Sequence, residues 1–183
     1  MSIDEETGVR DYISDIKRIA AGERFVLALR NDGLLYAWGD NTSGQLGVEI
    51  NNETTEDGTA IEDSRALPIE VNSTDGVDFS EITDIAAGKN HTVIVLNNDT
   101  VYTWGDNEFG QLGTGENGSY IPSQVKGFNG GGYLTDIISV KAGSYHTVAL
   151  KRDGSVWAWG RNDRGQLGDM TNDEREYPIE VFK

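Results

Sequence analysis

Trp38-Gly39-Asp40-Asn41-Thr42-Ser43-Gly44-Gln45-Leu46-Gly47 returns twice further along the chain. The second copy is Trp104-Gly105-Asp106-Asn107-Glu108-Phe109-Gly110-Gln111-Leu112-Gly113. The third is Trp159-Gly160-Arg161-Asn162-Asp163-Arg164-Gly165-Gln166-Leu167-Gly168. Seven of the ten positions are identical in all three copies. The match extends outward in step. Upstream, Ile19-Ala20-Ala21-Gly22 aligns with Ile85-Ala86-Ala87-Gly88 and Val140-Lys141-Ala142-Gly143, and Phe25, His91 and His146 follow three residues past those glycines. Downstream, Pro68-Ile69-Glu70-Val71 aligns with Pro122-Ser123-Gln124-Val125 and Pro178-Ile179-Glu180-Val181. The units run over residues 15–71, 81–125 and 136–181, and the first carries an insert between Gly47 and Pro68. An acidic tail, residues 1–14, precedes this three-repeat segment, 15–183. Self-similarity at such a period marks a repeat architecture, in which each unit buries its faces on its neighbours.

Each unit reads as four short strands. In the first they are Ile16–Ala20, Phe25–Leu29, Leu34–Trp38 and the Pro-led segment Pro68–Val71. Asp32-Gly33 between two apolar runs predicts a two-residue type I′ hairpin turn. Asp153-Gly154 repeats the signal, and Asn98-Asp99 takes its place in the second unit. Proline opening the fourth strand suits a sheet edge. Near-continuous apolar runs fit strands covered on both faces, so the expected fold is all-β: propeller blades of four antiparallel strands, three per chain. No stretch keeps helical periodicity between the glycines.

The W-G-x-N-x-x-G-Q-L-G core, with A-A-G-x-x-H-T upstream, resembles the regulator of chromosome condensation repeat family over Asp15–Val181. The resemblance implies a β-propeller, most often seven-bladed, whereas this chain holds three repeats. Three blades cannot close a ring, and propellers have about 4–8. The expectation is a homodimer closing a six-bladed ring. The alternatives are a fragment of a longer propeller or an arc capped by its own tail, Thr7–Ser14.

The composition narrows the functions. The 183 residues hold 31 acids against 15 bases, a net charge of −16, with a sequence pI near 4.3. Such a surface repels phosphate backbones and anionic lipid, so neither nucleic acid nor membrane is an expected partner. Cysteine is absent and there are two histidines, which removes disulfides, thiol nucleophiles and cysteine zinc sites. No apolar run reaches the roughly 20 residues of a membrane helix. The acidic start lacks a signal-peptide core, so the chain reads as soluble, with its compartment open. Strong acidity with six lysines hints at a high-salt or extracellular setting.

The repeated residues read as architectural. Trp38, Trp104 and Trp159 are expected to wedge between blades. The motif asparagines are expected to bond backbone in turns. His91 and His146 read as buried rings bonding backbone, since Phe25 fills the same position in the first repeat. The insert, residues 48–67, sets Glu49, Glu53, Glu56, Asp57, Glu62 and Asp63 against Arg65 alone. Such a loop reads as a solvated one, with a calcium site as the alternative; its spacing does not fit the D-x-[DN]-x-[DN]-G loop, and no cofactor or metal is otherwise expected.

Two sets of loop positions vary while their flanks stay fixed. One is Glu23-Arg24, Lys89-Asn90 and Ser144-Tyr145; the other is Thr42-Ser43, Glu108-Phe109 and Asp163-Arg164. Interface hot spots favour aromatics and arginine, so the candidate contacts are Phe109, Tyr145, Arg24, Arg161 and Arg164. The expected function is a non-catalytic protein-interaction module. The resemblance implies one alternative, nucleotide exchange on a small GTPase of the Ran type. A related propeller that inhibits a beta-lactamase implies another.

Overall fold

The computed structural model describes residues 12–51, 53–55, 57, 63–72 and 77–182. Most of the acidic tail, with Glu56 and Glu62 of the insert, lies outside the described residues. Twelve strands form three antiparallel sheets, one per repeat. Blade 1 holds β1 (Ile16–Ala21), β2 (Phe25–Arg30), β3 (Leu35–Asp40) and β4 (Ser64–Glu70). Blade 2 holds β5 (Ile82–Ala87), β6 (His91–Leu96), β7 (Val101–Gly105) and β8 (Ser119–Gln124). Blade 3 holds β9 (Ile137–Ala142), β10 (His146–Lys151), β11 (Val156–Gly160) and β12 (Arg175–Glu180). Within each blade the strands lie in chain order. The helical turns among the described residues are two short 3-10 segments, Phe79–Glu81 and Phe128–Gly130.

Two local expectations are corrected. The β2–β3 connection is a three-residue loop, not a two-residue type I′ turn. Gly33 N donates to the Arg30 carbonyl at 3.1 Å and Arg30 N to the Leu34 carbonyl at 2.9 Å. Asn31 belongs to the loop, and only its last residue needs the left-handed region: Gly33 at φ 95°, Asp99 at φ 62° and Gly154 at φ 89°. This is a three-residue turn closed by a bulge. The fourth strand also starts earlier than the proline. Ala37 pairs with Ile69 and Gly39 with Arg65, so Pro68 lies inside the register break between them. The other prolines sit in the same break, Pro122 in β8 and Pro178 in β12. A residue without an N–H is accommodated where the edge strand bulges.

The core lies between blades. β5 packs on β1 and β2, and β9 packs on β5 and β6. One buried cluster joins Leu27, Leu29 and Leu35 of blade 1 to Ile85, Ile94 and Trp104 of blade 2. A second joins Val93, Val95 and Val101 to Val140, Ala149 and Trp159. A directional polar seam runs through both. The Gln45 carbonyl accepts from Trp104 Nε1 at 3.0 Å and Thr92 Oγ1 at 2.7 Å. The Gln111 carbonyl accepts from Trp159 Nε1 and Thr147 Oγ1, each at 2.9 Å. Trp104 and Trp159 are therefore buried wedges. Trp38 departs from that expectation: it is half-buried, and its indole N–H meets no carbonyl among the described residues.

Ile85→Ala empties the first seam and is expected to cost 2–5 kcal/mol, on the order of other buried Ile→Ala changes. Ile138→Ala on the exposed side of β9 should cost less than about 1 kcal/mol. Urea unfolding of the two variants checks the contrast. Equal losses would place the core elsewhere.

Candidate functional site: the loop rim of blades 2 and 3

The repeated decapeptide builds a rigid turn with its own side chains. Asn41 Oδ1 accepts from Leu46 N at 3.1 Å, and Gln45 Oε1 accepts from Ser43 N at 2.9 Å. Asn107 and Gln111 hold Leu112 N and Phe109 N, each at 2.8 Å. Asn162 and Gln166 hold Leu167 N at 2.9 Å and Arg164 N at 2.8 Å. These turns hold the two variable positions outward, at Thr42-Ser43, Glu108-Phe109 and Asp163-Arg164.

The second variable set is fixed by an aromatic ring. A Cβ at Gly88 would fall 2.0 Å from His91 Cε1, one at Gly22 2.1 Å from Phe25 Cε1, and one at Gly143 2.1 Å from His146 Cε1. Only a residue without a side chain lets the ring lie across the backbone there. The loops then bond to one another across blades. Glu23 N donates to the Lys89 carbonyl at 3.4 Å, and Lys89 N to the Ser144 carbonyl at 3.0 Å.

Three of the five candidate residues meet. Phe109 of blade 2 and Tyr145 of blade 3 pack edge to face, with centroids 5.0 Å apart. The Arg161 guanidinium lies 5.0 Å from the Phe109 ring and 5.4 Å from the Tyr145 ring. Both rings are half-buried. Phe109 thus reaches across the blade seam. Sequence reasoning left out Lys89, whose ammonium sits 5.3 Å from the Tyr145 centroid and pairs with Glu23 at 3.2 Å. The signal was its place in the same variable set. The Tyr145 hydroxyl, and then Glu23, hold the Lys89 pKa above its ordinary value.

The other two candidates stand apart. Arg24 pairs with Asp40 at 3.2 Å on blade 1. Arg24 and Asp40 occupy the repeat positions that Tyr145 and Arg161 occupy on blade 3, so an ion pair there is replaced by a cation over a ring. Arg164 is exposed and makes no ion pair among the described residues. A groove of about 560 Å³, lined by Gly22, Glu23, Gly88, Lys89, Gly143 and Tyr145, adjoins the cluster.

His91 serves the seam and bonds a side chain where backbone was expected. His146, by contrast, is half-buried at the outer end of blade 3 and makes no hydrogen bond through its ring among the described residues. His91 Nε2 lies 3.1 Å from Thr147 Oγ1. Burial, with a smaller contribution from the charge of His146, pushes the His91 pKa down to about 3. Burial lowers His146 too. In the insert, Asp63 is buried and takes hydrogen bonds from Asn41 Nδ2 at 2.7 Å, Asn51 N at 2.8 Å and Arg65. Burial alone would raise its pKa, but these bonds outweigh it and lower the value. No cluster of three or more His, Asp or Glu suited to a metal occurs among the described residues, and no helix among them is long and apolar enough to cross a membrane.

Three four-stranded blades in an arc, with a rim of variable loops, define a β-propeller segment. Models of the regulator of chromosome condensation (RCC1) repeat match residues 32–95, 98–150 and 153–183, and a second form matches 16–45, 82–111 and 137–166. The chain belongs to the RCC1 repeat family. Protein pim1 of Schizosaccharomyces pombe is 32% identical, over 88% of this chain and 30% of its own length. The ultraviolet-B receptor UVR8 of Arabidopsis thaliana is 32% identical, over 91% of this chain and 34% of its own. The E3 ubiquitin-protein ligase HERC2 of Homo sapiens is 31% identical over 89% of this chain and 3% of its own. The chain thus spans about a third or less of these relatives. Prp20p of Saccharomyces cerevisiae, whose binding to Gsp1p and histones has been characterised, superposes with a TM-score of 0.72 at 26% identity, over 92% of this chain and 39% of that one.

Neutral, buried His91 gives a pH dependence. The unfolded imidazole takes a proton near pH 6.5, while the folded one resists protonation down to about pH 3. Its contribution is therefore fully present above about pH 6.5 and is lost as the pH falls, at up to about 1.4 kcal/mol per pH unit for one proton. Asp63, whose pKa is lowered, acts only below the ordinary carboxylate range. His91→Phe copies blade 1 and should make the stability profile less steep between about pH 6.5 and 4.5, leaving the smaller share of His146, measured by urea unfolding at several pH values. An unchanged slope would remove His91 as its source.

Proposed function

We propose that the chain is a non-catalytic protein-interaction module that binds a partner through the loop rim of blades 2 and 3. The Phe109–Tyr145–Arg161 cluster carries this reading. It gathers two aromatic rings and an arginine from variable positions of different repeats, at a rim that rigid turns hold in place. Aromatics and arginine supply most contact energy in protein interfaces. The motif asparagines, Trp104, Trp159 and His91 are engaged by the fold in turn and seam bonds. A net charge of −16 favours a partner with a basic surface. Histones, which Prp20p binds, provide one probe.

Nucleotide exchange on a small GTPase is the second reading, and likeness to Prp20p, with its binding to Gsp1p, favours it. Release of labelled guanine nucleotide from candidate GTPases decides it. The proposal also includes pairing of two copies into a six-bladed ring. Three blades supply half of such a ring. A six-bladed ring turns by roughly 60° per blade, inside the range that propellers span.

Phe109→Ala removes an edge-to-face contact worth roughly 0.5–1.5 kcal/mol and should lower stability by a similar amount. It should weaken binding of a protein probe by about 1 kcal/mol or more. Calorimetric titration with histones or a GTPase, beside thermal melts, separates the effects. Unchanged affinity for a probe that binds the parent chain contradicts the rim assignment.

A further inference from the structure

Two sets of bonds repeat with the same polarity at both internal seams. Rim N–H groups donate forward, Glu23 to Lys89 and Lys89 to Ser144. Indole and hydroxyl groups donate backward, from Trp104 and Thr92 to Gln45 and from Trp159 and Thr147 to Gln111. Each end of the arc therefore carries half of a seam. Blade 3 ends with the Ser144 N–H and the Gln166 carbonyl, and blade 1 begins with the Glu23 carbonyl and the Trp38 indole N–H. None of these four groups has a hydrogen-bond partner among the described residues. Each donor left over at one end matches the acceptor left over at the other.

The apolar surfaces divide the same way. Ile19 is 76% exposed on blade 1, while its repeat counterparts Ile85 and Val140 are 4% and 1% exposed. On blade 3, Leu150 and Val156 are each 37% exposed, while Leu29 and Val95, and Leu35 and Val101, are buried. A cleft of about 360 Å³ opens at that end, lined by Tyr145, His146, Arg161, Arg164 and Gln166 among others. Bare apolar faces of this kind mark interaction sites.

We infer that a second copy docks head to tail, the leading face of its blade 1 covering the trailing face of blade 3, with Trp38 donating to the Gln166 carbonyl. The inference rests on the proposed pairing of two copies and names the surfaces and the bonds. Val26 stands where Thr92 and Thr147 stand in the later repeats, so the junction lacks the hydroxyl bond of the internal seams. It is the weaker contact, suited to reversible association. Both ends are used once in a closed pair, which limits growth.

The chain has no cysteine, so single cysteines can report the geometry. Glu23→Cys and Ser144→Cys variants are mixed under mild oxidation. Head-to-tail docking predicts the mixed disulfide well above either homodisulfide, and a light-scattering mass of twice 20.0 kDa for the parent chain. Ile19→Glu should return the mass to a single chain while keeping its far-UV spectrum and the unfolding midpoint that the parent shows when diluted until it no longer pairs. A parent mass of 20.0 kDa at every concentration overturns both the pairing and the docking mode. A doubled mass with no preference for the mixed disulfide leaves the pairing standing and overturns the seam. An Ile19→Glu chain that unfolds below the dilute, unpaired parent assigns that face to another segment of the same chain and overturns the inference as well.

Discussion

One backbone carbonyl per blade organises this protein. The Gln45 carbonyl receives both an indole and a hydroxyl from blade 2, and the Gln111 carbonyl receives the same pair from blade 3. An amide oxygen has two lone pairs, and both are used in a buried site where an unmade bond costs about 1–3 kcal/mol. The decapeptide turn aims that carbonyl. The motif asparagine fixes the turn from below, the glutamine side chain closes it, and Gly47 lets the next Trp pack on the backbone, with Trp104 Nε1 3.1 Å from where a Cβ would stand. The W-G-x-N-x-x-G-Q-L-G pattern therefore describes two halves of a joint. Its Trp is the donor toward the blade before, and its Gln is the acceptor for the blade after.

This joint explains how function can sit at the rim. The seam consumes the invariant positions and leaves the residues between them free to change. Blade 1 uses the freedom for an Arg24–Asp40 ion pair, and blade 3 uses it for Tyr145 under Arg161. Phe109 joins the second arrangement because the seam places its turn beside the next blade's loop. Recognition chemistry can thus be exchanged without disturbing the core, which separates the fold from the function it carries.

Much of the fold was legible because the local signals agreed with one another. Three copies of the decapeptide, the apolar runs before them and the Asp-Gly turns all pointed to four-stranded units. The misread parts depended on partners outside the window. The hairpin loop includes Asn31, which the dipeptide Asp32-Gly33 does not reveal, and the pairing Ala37 to Ile69 leaves Pro68 inside a bulge. Composition could not show that Asp63 of the acidic insert is a structural anchor for Asn41. The candidate rim was half legible. Variability between repeats singled out Phe109, Tyr145 and Arg161, but only the spacing of two blades shows that they touch, and Lys89 entered through that contact. Arg24 and Arg164 met the same criterion and lie outside the cluster.

The direction of the seam makes the three motif tryptophans chemically unequal, although their local sequences are alike. Trp104 and Trp159 donate to buried carbonyls, while Trp38 has no acceptor among the described residues. Hydrogen exchange at the indole N–H, followed by NMR on the Ile19→Glu chain with ¹⁵N-labelled tryptophan, tests this difference directly. The account predicts exchange at Trp104 and Trp159 close to the rate of global unfolding, and exchange at Trp38 faster by orders of magnitude. Equal rates at all three would contradict a seam built on the glutamine carbonyl.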